Sequence, residues 1–298
     1  MNSASLYHPR HWPTWLAAGI LRLLALLPHP LLLAVGRTLG RIARPLARWR
    51  AGIAATNLQL CFPELDATAR QRLLREHFEA LGMGMMEFAM AWWWSDARLE
   101  RLLLAVEGEE HLPDRDDPRG TIFLTGHFTS LELGGRYLHR RSPTYAMYRP
   151  NENPVLQALF ERYRGGRIAG IISRNDARTM IKVLKGGDNV WFAPDQNFGR
   201  KGRVFADFMG VPAASNTATS RFAELTKARV IPFVLLRERG GYRLVIEPAL
   251  PDFPSADPQA DTRRINDQIG EWVRRAPAQY NWIHRRFRHR PEGKPHRY

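Results

Sequence analysis

The chain has 298 residues, 44% of them hydrophobic, which suffices for one large α/β domain or two modest ones and argues against an intrinsically disordered chain. Lysine and arginine number 44 against 29 aspartate and glutamate, a formal charge of +15, so the partners favoured are anionic: nucleic acid, anionic lipid or an acidic protein. The single cysteine, Cys61, excludes an internal disulfide and offers no zinc cluster.

Residues 12–39, WPTWLAAGILRLLALLPHPLLLAVGRTL, are largely apolar, with one charge, Arg22, before a basic end and with Pro28 and Pro30 inside. A spanning helix wants roughly 20 apolar residues, and a central arginine costs about 2.5 to 3.5 kcal/mol on insertion scales. Trp12 and Trp15 suit an interfacial belt, and Arg37, Arg41, Arg44, Arg48 and Arg50 follow directly, a distribution that keeps the body of the protein cytoplasmic. No small-residue cleavage site follows, which disfavours a signal peptide. Residues 1–50 are therefore expected to form a membrane anchor with a basic juxtamembrane segment, either one poor span or a helix lying in the interface. The remaining domain is 51–298, and a buried amphipathic hairpin is the alternative for the N-terminus.

Residues 65–94 predict a helix capped by Asp66 or Thr68, with Leu73, Leu74, Phe78 and Leu81 at helical spacing. Its second half, with Met83, Met85, Met86, Met90 and Trp92 to Trp94, is apolar on nearly every side. That pattern reads as a buried helix, or as the floor of a channel for a hydrocarbon chain, which flexible thioethers line well. From about residue 119, short β-type runs (121–126, 144–148, 189–194, 229–236, 242–248) alternate with helical ones at about 129–140, 153–164, 176–186, 214–227 and 260–275. The alternation predicts an α/β fold with a mostly parallel mixed sheet flanked by helices. The last two strands, joined through ERGGY, predict an antiparallel hairpin at one edge, and the chain ends in a basic tail.

Three of these strands end in polar groups: His127, then Tyr148 with Arg149, then Asp195 with Gln196. If the strands are parallel neighbours, those groups converge in the crevice beyond their carboxyl ends, where open α/β sheets bind ligands. In TGHFTSLELGG (125–135) four residues separate His127 from Glu132. On one continuous helix that pair would stand about 140° out of line. His127 is therefore placed in the loop ending the strand, with Thr129 or Ser130 as N-cap and Glu132 in the first helical turn. From there the carboxylate can reach back to one imidazole nitrogen and leave the other to accept a proton. The helix N-terminus favours an oxyanion or phosphate nearby, and Gly134 and Gly135 would let the helix pack close to the sheet. A structural reading of the same residues stays open, in which the histidine satisfies a strand-end carbonyl and the glutamate caps the helix.

The segment GHFTSLE resembles the H-x4-D/E motif of the glycerolipid and lysophospholipid acyltransferase superfamily. LCFPEL, TGHFTSLELGG, YRPNENP, WFAPDQNFGRKGRVFADFMGVPAA, VIPF and YNWIHRRF resemble, more specifically, the lipid A biosynthesis (late) acyltransferases of lauroyltransferase type, over about residues 8–292. The resemblance implies an α/β acyltransferase sandwich behind an N-terminal membrane helix, at the cytoplasmic face of the inner membrane. It implies transfer of a fatty acyl chain from an acyl carrier protein thioester to a hydroxyl on an acyl chain of a Kdo-lipid A precursor, without a cofactor. By position, His127 matches the general base and Glu132 its acidic partner. Arg164, in ERYRGG, matches an arginine important for activity, although Tyr163 stands where glycine is common. Asp195, in APDQ, belongs to the third conserved block, and Tyr148 and Arg149 to a block contacting acceptor phosphate. Gln196 joins the substrate-binding set, and Arg200, Lys201 and Arg203, with Arg149 and Arg164, are candidates for gripping anionic groups through charge-assisted hydrogen bonds.

An alcohol is a poor nucleophile at neutral pH, so a base must take its proton as the thioester carbon is attacked. The oxyanion then needs donors, from helix N–H groups or an arginine. No G-x-S-x-G elbow is present and Cys61 lies outside the motifs, which predicts direct transfer without an acyl-enzyme. The F-P-E-G-T-R form of the third block is missing, which argues against the alternative of an acyl-CoA-dependent lysophospholipid acyltransferase. A basic peripheral protein binding membrane or RNA is the non-enzymatic alternative. No RNP, KH or helix-turn-helix pattern supports nucleic acid, and no ligand cluster with suitable spacing supports a metal.

Overall fold

The computed structural model describes residues 6–114, 117–199 and 202–298. Residues 12–39 do not form one helix. The prolines divide them into α1 (Trp12–Leu24) and α2 (His29–Leu46), with Pro28 at the N-cap of α2 and Pro30 in its first turn. The 13 residues of α1 span about 20 Å, short of a hydrocarbon core of about 30 Å. No helix among the described residues is long and apolar enough to cross a membrane, so the expectation of one poor span is not met.

After α3 (Arg48–Cys61) comes α4 (Ala67–Trp93), begun by Asp66, whose carboxylate accepts the Ala69 N–H at 2.7 Å. Leu73, Phe78, Met83, Met86, Met90 and Trp92 are buried while Met85 is 49% exposed and Phe88 and Trp93 are half-buried, so the apolar second half of α4 is core on most but not all of its faces. α2 lies on α4 with the two backbones in contact. A Cβ on Gly40 would stand 2.0 Å from the Phe78 carbonyl oxygen, and one on Gly82 would stand 2.0 Å from that of Gly36. Only glycine permits this approach.

The short α5 (Asp96–Glu100) leads into the α/β body. In chain order follow β1 (Leu103–Glu107), β2 (Thr121–Leu124), α6 (Leu131–Arg141), β3 (Thr144–Tyr148) and α7 (Pro154–Tyr163). Next come β4 (Gly170–Ser173), α8 (Ala177–Lys185), β5 (Asn189–Phe192) and the hairpin of β6 (Val204–Phe208) and β7 (Val211–Ser215). α9 (Ala218–Thr226), β8 (Arg229–Glu238), β9 (Gly241–Ile246) and α10 (Pro258–Arg275) complete the order. Seven strands form one sheet in the order β1-β9-β8-β2-β5-β3-β4, parallel except between β8 and β9. β6 and β7 stand apart as an antiparallel pair.

The predicted hairpin exists but is not the edge, because β1 pairs in parallel outside β9. β1, β4, β6 and β7 were not anticipated. β4 is a four-residue edge strand opening on glycine, and Pro212 in β7 breaks the usual strand signature. The helix expected over 214–227 begins at Ala218, since Ala214 and Ser215 belong to β7. Side chains of β2 alternate between two cores. Ile122 and Leu124 join the cluster under α8, α9 and α10, and Phe123 joins the one under α6, α7 and the end of α4. The sheet is thus covered on both faces, the α/β arrangement the alternation predicts.

Candidate active site

β2 and β5 are adjacent and in register, Leu124 opposite Phe192, and the Thr125 N–H donates to the Phe192 carbonyl at 3.1 Å. The loops that leave them start from one rim of the sheet. On that rim Asp195 gathers the turn that follows β2. Its Oδ2 accepts the backbone N–H of His127 at 2.9 Å and the hydroxyl of Tyr280, also at 2.9 Å. Its Oδ1 lies 2.5 Å from His127 Nδ1. With the imidazole neutral, Nδ1–H donates to Oδ1 and the acceptor lone pair sits on Nε2, which has no partner among the described residues.

The electrostatics follow from burial. Asp195 is 2% exposed. Desolvation raises its pKa, but His127 and Tyr280 outweigh that and hold the carboxyl well below the usual range. For His127, burial lowers the pKa and the Asp195 carboxylate raises it by more, leaving it above the ordinary imidazole value. His284, nearby, is lowered to about 4, chiefly by burial. It stays neutral and accepts the Asn197 N–H at 3.1 Å.

From the spacing, Glu132 is the expected partner of His127, and here the structure differs. Glu132 does sit in the first turn of α6, but its carboxylate makes no hydrogen bond to the imidazole. It accepts from Arg164 Nε at 3.0 Å to each oxygen, from Arg164 Nη2, and from Trp92 Nε1 at 3.2 Å. The reason is topological. One residue into α6, Glu132 reaches Trp92 on α4 and Arg164 at the end of α7, while Asp195 emerges from the strand adjoining His127. The expected side-chain cap is also missing. Ser130 occupies the N-cap position, yet its hydroxyl donates to the Leu235 carbonyl at 2.6 Å, and Thr129 Oγ1 accepts from Arg237 at 3.0 Å.

The other predicted residues divide. Arg164 lies over the Phe160 ring at 4.8 Å as well as holding Glu132. Tyr148 ends β3 on the same rim and accepts from Gln157 at 2.7 Å. Arg149 is exposed and pairs with Glu152 at 3.2 Å. Gln196 is half-buried next to Asp195. Arg200 and Lys201 lie outside the described residues, and Arg203 extends over Phe205.

Beside the Glu132–Arg164 pair is a cavity of about 10 Å³, lined also by Arg136, Tyr163, Arg167 and Trp191, about the space of one water. Phe88, Trp93, Phe160 and Tyr163, all half-buried, surround Trp92, with Phe88 4.4 Å and Tyr163 5.4 Å from it between ring centroids. Trp92 was read only as part of a buried helix or channel floor, not as a partner of Glu132, and Tyr280 was not read as a site residue. Trp92 was hidden in an apolar helix, and Tyr280 lies in YNWIH, 85 positions from the carboxylate it binds, with no local spacing to mark it.

The sequence pattern of the bacterial lipid A biosynthesis acyltransferases matches residues 2–289. Across 99% of this chain and 98% of the relative, it is 39% identical to the lipid A biosynthesis lauroyltransferase of Escherichia coli K12. The lipid A biosynthesis palmitoleoyltransferase of the same strain is 40% identical over 98% of this chain and 96% of its own. A lipid A biosynthesis acyltransferase of Haemophilus influenzae is 36% identical over 96% and 93%. Likeness along nearly the whole length identifies this chain, which carries a histidine–carboxylate dyad at the carboxyl rim of a mostly parallel sheet, as an acyltransferase that belongs to the bacterial lipid A biosynthesis acyltransferases.

Proposed function

We propose that the protein transfers a fatty acyl group from an acyl carrier protein thioester to a hydroxyl on an acyl chain of a Kdo-lipid A precursor, with His127 as general base. One observation carries this reading: Asp195 binds Nδ1–H and leaves Nε2 of His127 without a partner among the described residues. Nε2 takes the proton of the acceptor hydroxyl as its oxygen attacks the thioester carbon. The tetrahedral intermediate then collapses with cleavage of the C–S bond, and the imidazolium returns the proton to the departing thiolate. Asp195 stabilises the imidazolium in between. The N–H groups of Glu132 and Leu133 in the first turn of α6, which no side chain caps, and the Arg164 guanidinium are the donors assigned to the oxyanion, the Leu131 N–H being taken by the Phe128 carbonyl. No serine, threonine or cysteine side chain hydrogen-bonds His127 among the described residues, which supports attack without an acyl-enzyme.

Tyr148, Arg149 and Gln196, with Arg200 and Lys201, are assigned to the anionic groups of the acceptor. The acyl chains are assigned to the half-buried aromatic residues around Trp92, on α4 and α7, two helices that α1 contacts. We further infer that the protein works at the cytoplasmic face of the inner membrane, with α1 and α2 lying in the interface. Trp12, Leu16, Ile20, Leu23 and Leu26 are exposed, no acidic residue precedes Glu64, and Arg41, Arg44 and Arg75 line a cleft of about 300 Å³ with Glu79. A surface of this kind suits an anionic bilayer.

The test is purified protein incubated with acyl carrier protein thioester and a Kdo-bearing, phosphorylated lipid A precursor, read by mass spectrometry as the gain of one acyl chain. His127→Ala is expected to lose at least about 10³-fold in turnover while still binding anionic vesicles. Transfer only from acyl-CoA to a lysophospholipid, or undiminished turnover in the variant, would refute the assignment.

A further inference from the structure

A buried ion pair lies behind the turn that carries His127. Glu87 on α4 and Arg237 on β8 have side chains only 1% and 8% exposed. Arg237 Nε and Nη2 donate to the two carboxylate oxygens at 2.5 and 2.7 Å. Nη2 also donates to Thr129 Oγ1 at 3.0 Å. Gln279 completes a bracket around the turn. Its Oε1 accepts the Arg237 backbone N–H at 2.9 Å, its Nε2 donates to the Arg237 carbonyl at 2.9 Å, and its own carbonyl accepts the Thr129 N–H at 2.8 Å.

Stability alone does not call for this arrangement. Desolvating two charges costs about as much as their attraction returns, and apolar pairs of similar volume often hold a fold as well or better. What an apolar pair cannot do is direct a donor at Thr129. Ser130 ties the turn to β8 through its hydroxyl and Gln279 and Asp195 hold its N–H groups, while Arg237 supplies the side-chain donor at Thr129. We propose that Glu87 and Arg237 are positioning residues, which through Thr129 set the turn between β2 and α6 and so place His127 against Asp195 and Glu132 against Arg164. The consequence for catalysis rests on His127 being the general base. A misplacement of about 1 Å at a reacting group costs about a hundredfold in rate.

The decisive variants are the double change Glu87→Met/Arg237→Met, which keeps volume without charge, and the pair Thr129→Val and Thr129→Ser. We expect the double variant to unfold near the wild-type temperature, with KM within about twofold and kcat lowered about 30- to 100-fold. Thr129→Val should reproduce most of that loss, and Thr129→Ser, which keeps the hydroxyl, should recover it. A readout free of substrate separates this idea from the assigned reaction. The Nδ1 proton resonance of His127, assigned by its disappearance in His127→Ala, should shift in the double variant and in Thr129→Val but not in Thr129→Ser. Unchanged kcat and an unchanged resonance in Thr129→Val would overturn the positioning role. A shifted resonance in a protein that transfers no acyl group would leave the positioning role standing and sink the reaction.

Discussion

Two opposing influences act on one proton at His127. Burial disfavours the imidazolium, and Asp195 more than restores it, so the pKa lies above the ordinary value of about 6.5. The proposed base works only when neutral, so under that proposal the rate should rise with pH through that elevated value. Asp195→Asn removes the influence that raises it. The acid limb of the kcat/KM profile should then move to lower pH, with kcat down about 10³- to 10⁴-fold through the wrong tautomer. A limb that stays in place would show that Asp195 does not govern the imidazole.

The linked stability has two signs. The depressed Asp195 contributes stability above its unfolded value of about 3.9, lost as pH falls through its folded one. The raised His127 contributes fully below about 6.5, and that contribution is lost as pH rises through its folded value. Asp195→Asn should therefore flatten the dependence of the unfolding temperature on pH in both windows. At Arg164, Ala would leave the mostly buried Glu132 without its cation, at a cost of about 3 to 5 kcal/mol in denaturant unfolding. Lys would keep the charge but lose the two-pronged grip, and should recover stability more than turnover. At this scale His127 and Asp195 were legible as polar strand ends. Their pairing was not, because 68 positions separate them and only the adjacency of β2 and β5 brings them together.

Elements with a strong period were easy to read: α4 from its capping Asp66 and apolar run, β3 from TYAMY, and β8 from VIPFVLL. Those missed lacked a period long enough to register. β4 is a short run opening on glycine, and β6 and β7, although Phe208 and Ala213 reach the core, pair only with each other and are interrupted by Asp207 and Pro212. The break between α1 and α2 was written in Pro28 and Pro30, but the apolar count across residues 12–39 favoured continuity. The seam between α2 and α4 offers a sharp test. Gly40→Ala puts a methyl 2.0 Å from the Phe78 carbonyl oxygen, where backbone must move. Overpacking of this kind costs about 1 to 3 kcal/mol or more, measurable as a lower denaturant midpoint at unchanged m-value. Gly52→Ala, with nothing within 4 Å, should cost far less.

Unopposed positive charge and exposed apolar side chains coincide in the N-terminal helices, where seven arginines precede the first carboxylate. The first 63 residues carry no carboxylate side chain, and α1 exposes Leu16 at 66% and Leu23 at 67%. Leu16→Glu/Leu23→Glu should weaken co-sedimentation with anionic vesicles at every ionic strength, since it removes apolar contact and adds repulsion. Arg44→Glu/Arg75→Glu should weaken it mainly at low salt, where exposed charges act over the longest range. Equal binding by all three proteins would exclude the N-terminal helices as the contact.

The seam has a further consequence for how the protein can be dismantled. Trp94 Nε1 donates to the Ala25 carbonyl at 2.6 Å and Arg98 to that of Leu27 at 2.7 Å, so the bend between α1 and α2 is pinned to the body at one end as α2 is along its length. A protease clipping the chain near Ala47 would not free a competent soluble enzyme from a tether. It would peel away the backing of the helix that presents Glu87 and Trp92, and activity should vanish together with anchorage.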